Sequence, residues 1–239
     1  MRTYGIQLRL IQTAGLIAVL ILISGVFKAS IWGDAGKDTT GLTTSKITEN
    51  TGADAASNQT TVQTNSKIVA LGDSFTLGYP LGVDRSWTKT LADGLQVEVI
   101  NKGKSRQTGK DLLARFDQDV LAEKPGRVII FAGTGDAIQN VSLKDYQGYI
   151  QTLVEKAKSN HIMPILVMPV WYPGFQQGIV NFREWEISYA QTEHITVLDF
   201  NEILFDANSK YLKGLSSDGK YPNTKGYQAM GEYAARVLK

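Results

Sequence analysis

Four short blocks of this sequence combine residue types that can carry out acyl chemistry. The first, Gly72-Asp73-Ser74-Phe75-Thr76-Leu77-Gly78, offers a hydroxyl nucleophile in a turn that its glycine allows to be sharp. Backbone N–H groups at such a turn can face a developing oxyanion. The second and third blocks, Asn101-Lys102-Gly103-Lys104-Ser105 and Gly133-Thr134-Gly135-Asp136, are glycine-bearing polar turns. The fourth, Asp218-Gly219-Lys220-Tyr221-Pro222-Asn223, brings a carboxylate and a phenol close together. The nucleophile elbow of α/β-hydrolases is absent, because that motif needs a glycine where Thr76 stands. Histidine, the usual general base, occurs only as His161 and His194, and there is no cysteine. The lack of cysteine removes disulfides, thiol nucleophiles and a bacterial lipoprotein anchor. With so few histidines and no cysteine, neither a transition-metal site nor any other cofactor is expected.

The elements that must position these blocks are legible as an alternation. Strands are expected over Ile68–Leu71, Val97–Asn101, Val128–Ala132, Ile165–Val170 and Thr196–Asp199. Their nearly continuous apolar runs suit a parallel sheet buried on both faces. Helical patterns lie between them. Ser142-x-x-Asp145 reads as a capping box for a helix reaching about Ser159, and Asn223 as the cap of a last helix ending near Lys239. The fold class is therefore α/β, with a doubly wound five-stranded parallel sheet of flavodoxin-like type and right-handed crossovers. Ligands bind beyond the carboxyl ends of strands in such sheets. The first three blocks each follow a strand, and the fourth precedes the last helix. His161 and His194 instead precede strands, which places them at the opposite edge as surface or packing residues.

Taken together, the four blocks resemble the SGNH (GDSL-type) hydrolases, lysophospholipase-like esterases, over essentially all of Lys67–Lys239. The resemblance implies that Ser74 is the nucleophile and Asp218 the acidic member of the triad. It implies that the Ser74 and Gly103 N–H groups form part of an oxyanion hole. Pro222-Asn223 and Lys225-Gly226-Tyr227 continue the likeness into the last helix. Two positions depart from the family's pattern: Gly135 stands where an oxyanion-hole asparagine is expected, and Tyr221 where the catalytic histidine is expected.

These departures are large. A phenol of pKa near 10 is a poor base at neutral pH beside an imidazole near 6.5. General acid–base catalysis typically contributes about 10²–10⁴-fold, and one side-chain oxyanion donor about 10²–10³. Either another base serves, with Lys104, Arg106 and Lys220 the nearby cations, or the crevice binds without turning over. A serine–lysine pair would need a desolvated lysine. Trp171 and Tyr172 follow the fourth strand and are expected at the rim, against a sugar ring or an acyl chain. Trp87 and Trp185 read as helix core residues, and Asp73 and Asp136 as supports of their loops.

The whole chain has 239 residues, 43% hydrophobic and 20% charged, with a net charge of +2. That composition excludes wholesale disorder and gives no electrostatic reason to expect a nucleic-acid partner. Residues 10–27 carry no charge and would form a helix of about 27 Å, enough to span the hydrocarbon layer. Arg2 and Arg9 precede it, which favours a cytoplasmic N-terminus and an exported remainder. Cutting after Ala29 or Ser30 would put Phe27 or Lys28 at the −3 position, so an uncleaved signal anchor is preferred over a cleaved signal peptide. The expected organisation is a cytoplasmic segment 1–9, a transmembrane anchor and flank 10–33, a disordered extracytoplasmic linker 34–66, and a hydrolase-like domain 67–239. The linker contains no aromatic residue and is rich in Thr, Ser, Asn, Asp and Gly, too polar to bury a core. The expected protein is a single-pass, bacterial cell-surface monomer acting on envelope esters, either lysophospholipids or O-acylated glycans. The alternatives are a non-catalytic binding module in the same crevice, or a scaffold.

Overall fold

The computed structural model describes residues 65–239. Five parallel strands, β1 (Ile68–Gly72), β2 (Val99–Gly103), β3 (Arg127–Phe131), β4 (Met163–Val167) and β5 (Thr196–Leu198), form one sheet in the order β2-β1-β3-β4-β5. This is the doubly wound order in which the chain reverses direction across the sheet between β1 and β3. Along each strand, side chains alternate between two cores. Val69, Leu71, Val128 and Ile130 face one way, packing with Leu112, Tyr146, Ile150, Leu153 and Phe182. Ile68, Ala70, Ile129, Phe131 and Val167 face the other, packing with Trp87, Leu91, Tyr227 and Met230.

The helices that close these faces are α1 (Ser74–Leu77), α2 (Trp87–Leu95), α3 (Gly109–Ala114), α4 (Phe116–Asp119), α5 (Thr134–Ile138), α6 (Leu143–Ser159), α7 (Gln176–Glu193), α8 (Asn201–Leu204) and α9 (Thr224–Val237). Two caps form as their sequences predict. Ser142 Oγ accepts the Asp145 N–H at 3.1 Å to start α6, and Asn223 Oδ1 accepts the N–H groups of Lys225 (3.0 Å) and Gly226 (3.1 Å) to start α9. Trp87 is fully buried, as a core residue should be. Trp185 is half-buried instead, stacked on Tyr189 at 5.0 Å.

Two strands differ from their expected bounds by two residues or more, the others by one. β2 begins and ends two residues later than Val97–Asn101, because its register is set by β1, with Gly72 opposite Gly103, and as an edge strand it is only half-buried. β4 ends at Val167 rather than Val170, and Met168–Val170 stay buried while leaving the sheet. The folded part already includes Asn65, whose side chain donates to the Lys124 carbonyl at 2.6 Å. Among the described residues, no helix is long and apolar enough to cross a membrane. The span expected at residues 10–27 lies outside them, as does most of the linker expected at 34–66.

Candidate active site

The sequence turns sharply out of β1 into α1, which is only four residues long. Asp73 caps it, accepting the Phe75 N–H at 2.9 Å, and Gly78 ends it in the left-handed conformation. Ser74 is therefore the first helical residue, and its N–H has no acceptor within the helix. Its side chain is nearly buried but lines a crevice of about 700 Å³ beyond the carboxyl ends of β1 and β3. The crevice also touches Asp73, Tyr79, Ser105, Arg106, Gly135, Gln139, Tyr172, Asp218 and Tyr221. Blocks widely separated in sequence thus meet where the strand order reverses.

Ser74 Oγ lies 3.2 Å from Ser105 Oγ and accepts the Arg106 N–H at 3.0 Å. That N–H is the second backbone donor facing the nucleophile. Gly103 does not supply it: its own N–H donates to Asn101 Oδ1 at 2.8 Å. Gly103 is needed for space, because a Cβ there would lie 2.1 Å from the Leu77 nitrogen where α1 crosses β2. The expectation of a Gly103 donor is corrected accordingly. Arg106 was legible only as a nearby cation, since nothing in an arginine side chain announces the direction of its backbone N–H. It sits at φ 63°, a left-handed conformation uncommon outside glycine.

Gly135 lines the crevice in the first turn of α5. A Cβ at this position would stand 2.2 Å from the Gln107 carbonyl oxygen, so the 105–107 loop occupies the space a larger side chain would need. Gln139 Nε2 fixes the same loop by donating to the Arg106 carbonyl at 2.8 Å.

Tyr221 faces Ser74 from the opposite wall. Its ring packs against Phe75 (5.2 Å), Tyr79 (4.8 Å) and Tyr172 (5.6 Å between centroids). Burial, and then the neighbouring Tyr172 hydroxyl, push its phenol above the ordinary value, while the Ser74 hydroxyl pulls it slightly back. Tyr221 is thus a weaker base-former than a free phenol, although its hydroxyl lies near that of Ser74 in the same crevice.

Asp218 lies at the crevice edge, but its Oδ1 is used by its own loop. It accepts the N–H groups of Lys220 (2.8 Å) and Tyr221 (2.9 Å) and the Ser216 hydroxyl (3.2 Å). Partial burial works against the ionised form, yet these donors outweigh it and hold the carboxyl below its usual range. Asp218 shapes the turn that presents Tyr221.

Asp73 and Asp136 are both buried. Burial lifts Asp73 to about 7, opposed by the Phe75 N–H and reinforced by the Asp136 charge. Asp136 is also raised by burial, against the N–H donors of Gly109 and Gly133. Its Oδ1 accepts Gly109 N–H at 2.9 Å and its Oδ2 accepts Gly133 N–H at 3.0 Å, tying the third block to the start of α3 as a loop support should.

The remaining candidates divide. Lys104 is paired with Asp119 at 3.0 Å, in a network with buried Arg115, and does not line the crevice. Lys220 and Arg106 do line it. Tyr172 is at the rim as expected, joined by Phe175. Trp171 is not: its backbone N–H is held by Asn201 Oδ1 at 3.1 Å, and its ring lies against the Arg183 guanidinium at 5.1 Å rather than in the crevice. His161 and His194 are exposed at the far edge, in the turns before β4 and β5. Among the described residues, no cluster of His, Asp or Glu is arranged to hold a metal ion.

A doubly wound sheet carrying a serine beside backbone N–H donors at its switch point defines a serine-hydrolase-type α/β domain. Residues 70–229 match the GDSL-like lipase/acylhydrolase family, and the chain belongs to that family. It is similar to a structure described as a lipolytic protein of the G-D-S-L family from Desulfitobacterium hafniense DCB-2, with 56% identity and a TM-score of 0.72, over 73% of this chain and all of that one. It also resembles a lipase/acylhydrolase from Enterococcus faecalis, with 25% identity and a TM-score of 0.63, over 72% of this chain and 95% of that one. The acetylxylan esterase of Geobacillus stearothermophilus is 33% identical over 163 residues, 60% of this chain and 73% of the esterase.

Proposed function

We propose that this chain is an exported, membrane-tethered member of the family that binds esters of the cell envelope, O-acylated glycans or lysophospholipids, and turns them over far more slowly than an ordinary esterase. The observation that carries this reading is Tyr221 opposite Ser74. The group beside the nucleophile is a phenol whose pKa burial and Tyr172 raise further, so it holds its proton at neutral pH. The Gln107 carbonyl closes the space over Gly135, so no side-chain oxyanion donor can be placed there without moving the loop. The two losses act on one transition state, so their separate magnitudes do not multiply.

A second reading, hydrolysis by an altered mechanism, is favoured by one contact: the Arg106 N–H on Ser74 Oγ, which preserves a backbone donor where an oxyanion would form. The two are separated by treating the detergent-solubilised full chain with a fluorophosphonate probe and measuring intact mass. The binding reading expects no adduct on Ser74 at pH 7; rapid labelling that Ser74→Ala abolishes would replace it with the hydrolase reading.

The tether is supported by the uncharged run 10–27 and by Arg2 and Arg9 before it. Protease added to intact cells should release a fragment that begins within residues 34–66. Protection of the domain until lysis would reverse the orientation.

A further inference from the structure

The structure assigns Arg115 a positioning role at Ser74: its buried guanidinium ties the turn that carries the nucleophile to the loop whose backbone donor faces it. This inference rests on reading Ser74 as the reacting group and adds a residue that aligns it from outside the crevice. Arg115 closes α3 and is buried, and it does not line the crevice. Three of its hydrogen bonds reach segments next to the reacting atoms. Nη2 donates to the Gly72 carbonyl at 2.9 Å, Nη1 to the Lys102 carbonyl at 2.8 Å, and Nε to Gln107 Oε1 at 2.8 Å. Gly72 ends the strand that leads into Ser74, Lys102 lies near the end of β2, and Gln107 follows Arg106.

The charge and shape of arginine fit this task. A guanidinium presents its donors in a rigid plane, so acceptors on three separate segments are fixed at once. A lysine ammonium carries all its donors on one atom and cannot span them. The buried charge is offset by Asp119, which accepts from Nη1 and also pairs with Lys104 at 3.0 Å. Each of these bonds has an ionised donor and is correspondingly strong.

Ser74 needs such support because its partners lie on irregular backbone. Ser105 Oγ, 3.2 Å from Ser74 Oγ, and the Arg106 N–H, which Ser74 Oγ accepts at 3.0 Å, belong to the loop between β2 and α3, whose direction the sheet does not set. Two side chains hold that loop: Gln139 on the Arg106 carbonyl at 2.8 Å, and Arg115 through Gln107. The Gln139 bond is exposed, where water competes for both groups, whereas the Arg115 bond is partly buried. Arg115 alone of the two also grips the Gly72 carbonyl, so it fixes loop and nucleophile relative to each other. A misplacement of about 1 Å between reacting groups can cost on the order of 10²-fold in rate.

The test follows the Arg106 amide resonance in the detergent-solubilised full chain labelled with ¹⁵N-arginine. Ser74→Ala removes the acceptor and defines how far that resonance moves when the bond is lost. Gln107→Leu cuts the link while leaving Arg115 its bonds to Gly72, Lys102 and Asp119, and should move the resonance in the same direction. Gln107→Glu keeps an acceptor for Arg115 Nε and should restore it, which a change of bulk alone would not do. Ser74-dependent hydrolysis of p-nitrophenyl acetate should fall about tenfold or more in kcat in Gln107→Leu, with KM unchanged. In a chain that shows no turnover the resonance alone decides. Arg115→Lys should match Gln107→Leu or exceed it; thermal melts identify a variant that has lost its fold, in which case the two Gln107 variants decide. A Gln107→Leu resonance that stays in place while Ser74→Ala moves it would overturn the role of Arg115 and leave the Ser74 site as described. A resonance that Ser74→Ala does not move would overturn the Arg106–Ser74 contact itself, and with it the reading of the site beneath this inference.

Discussion

The carbonyl oxygen of Gln107 sits where a side chain at Gly135 would begin, 2.2 Å from the position of a Cβ. Real Cβ atoms do not approach backbone oxygen so closely, so the 105–107 loop and the third crevice block are fitted to each other. Gly135→Asn should therefore overpack the junction and cost about 1–3 kcal/mol. A loss of several degrees in the melting temperature checks it. An unchanged melting temperature would mean that the 105–107 loop yields easily, and an oxyanion donor could then be rebuilt there.

Arg106 gives a prediction of opposite sign. Its left-handed conformation is a strain that glycine lacks, offset in part by the freer unfolded chain glycine creates. Arg106→Gly should leave stability unchanged or raise it by up to about 1 kcal/mol. Arg106→Val, β-branched at the same φ, should lower it by more than that. Urea unfolding of the three proteins makes the comparison. A valine variant as stable as the parent would show that the loop is not held left-handed in solution.

The sheet was legible in the sequence because its inner strands are apolar on both faces, as Ile68–Leu71 and Val128–Phe131 show. β2 was displaced by two residues because an edge strand of Val, Asn, Lys and Gly has no such signature, and its register belongs to β1. Within the site, Ser74, Asp218 and Tyr221 came from side-chain identity in recognisable blocks, and the fold brings all three to one crevice. Gly103 and Arg106 exchanged roles because a donor N–H is a property of backbone direction. Trp171 lies outside the crevice for a related reason: its ring contacts Arg183 and its backbone N–H is held by Asn201, partners distant in sequence.

A buried pair far from Ser74 predicts how stability depends on pH. Glu186 is fully enclosed and accepts the Tyr146 hydroxyl. Burial lifts its pKa from 4.5 to about 8, opposed by the Tyr146 bond and the Arg183 charge, with Asp136 and Asp199 adding to the rise. The folded protein therefore keeps a proton that the unfolded chain releases above about pH 4.5. The associated stability is fully present below that pH and declines as pH rises towards 8, by up to about 1.4 kcal/mol per unit. Glu186→Gln retains an acceptor for Tyr146 and should flatten this slope. Urea unfolding of both proteins from pH 5 to 8 isolates the effect, because the similarly raised Asp73 is common to both. Parallel slopes would show that Glu186 is ionised in the native state.

The exchange of base is the most direct test of the slow turnover proposed for Ser74. Tyr221→His places an imidazole of pKa near 6.5 three residues after Asp218, in the wall that already faces the nucleophile. One Asp218 oxygen is taken by the loop, but a carboxylate can accept further bonds through the other. The Arg106 and Ser74 N–H groups would serve as the oxyanion donors, with no change at Gly135. Hydrolysis of p-nitrophenyl acetate at pH 8 should then rise by about 10–10³, short of the ceiling for general base catalysis because the smaller ring loses the support of Phe75 and Tyr79. Ser74→Ala on that background must abolish the gain, and Tyr221→Phe must show none. A folded Tyr221→His variant with no gain would mean that the crevice no longer holds a reactive geometry, which strengthens the binding reading. If the parent already turns over the ester and Tyr221→Phe stops it, the phenol is a working part of the mechanism and the hydrolase reading takes its place.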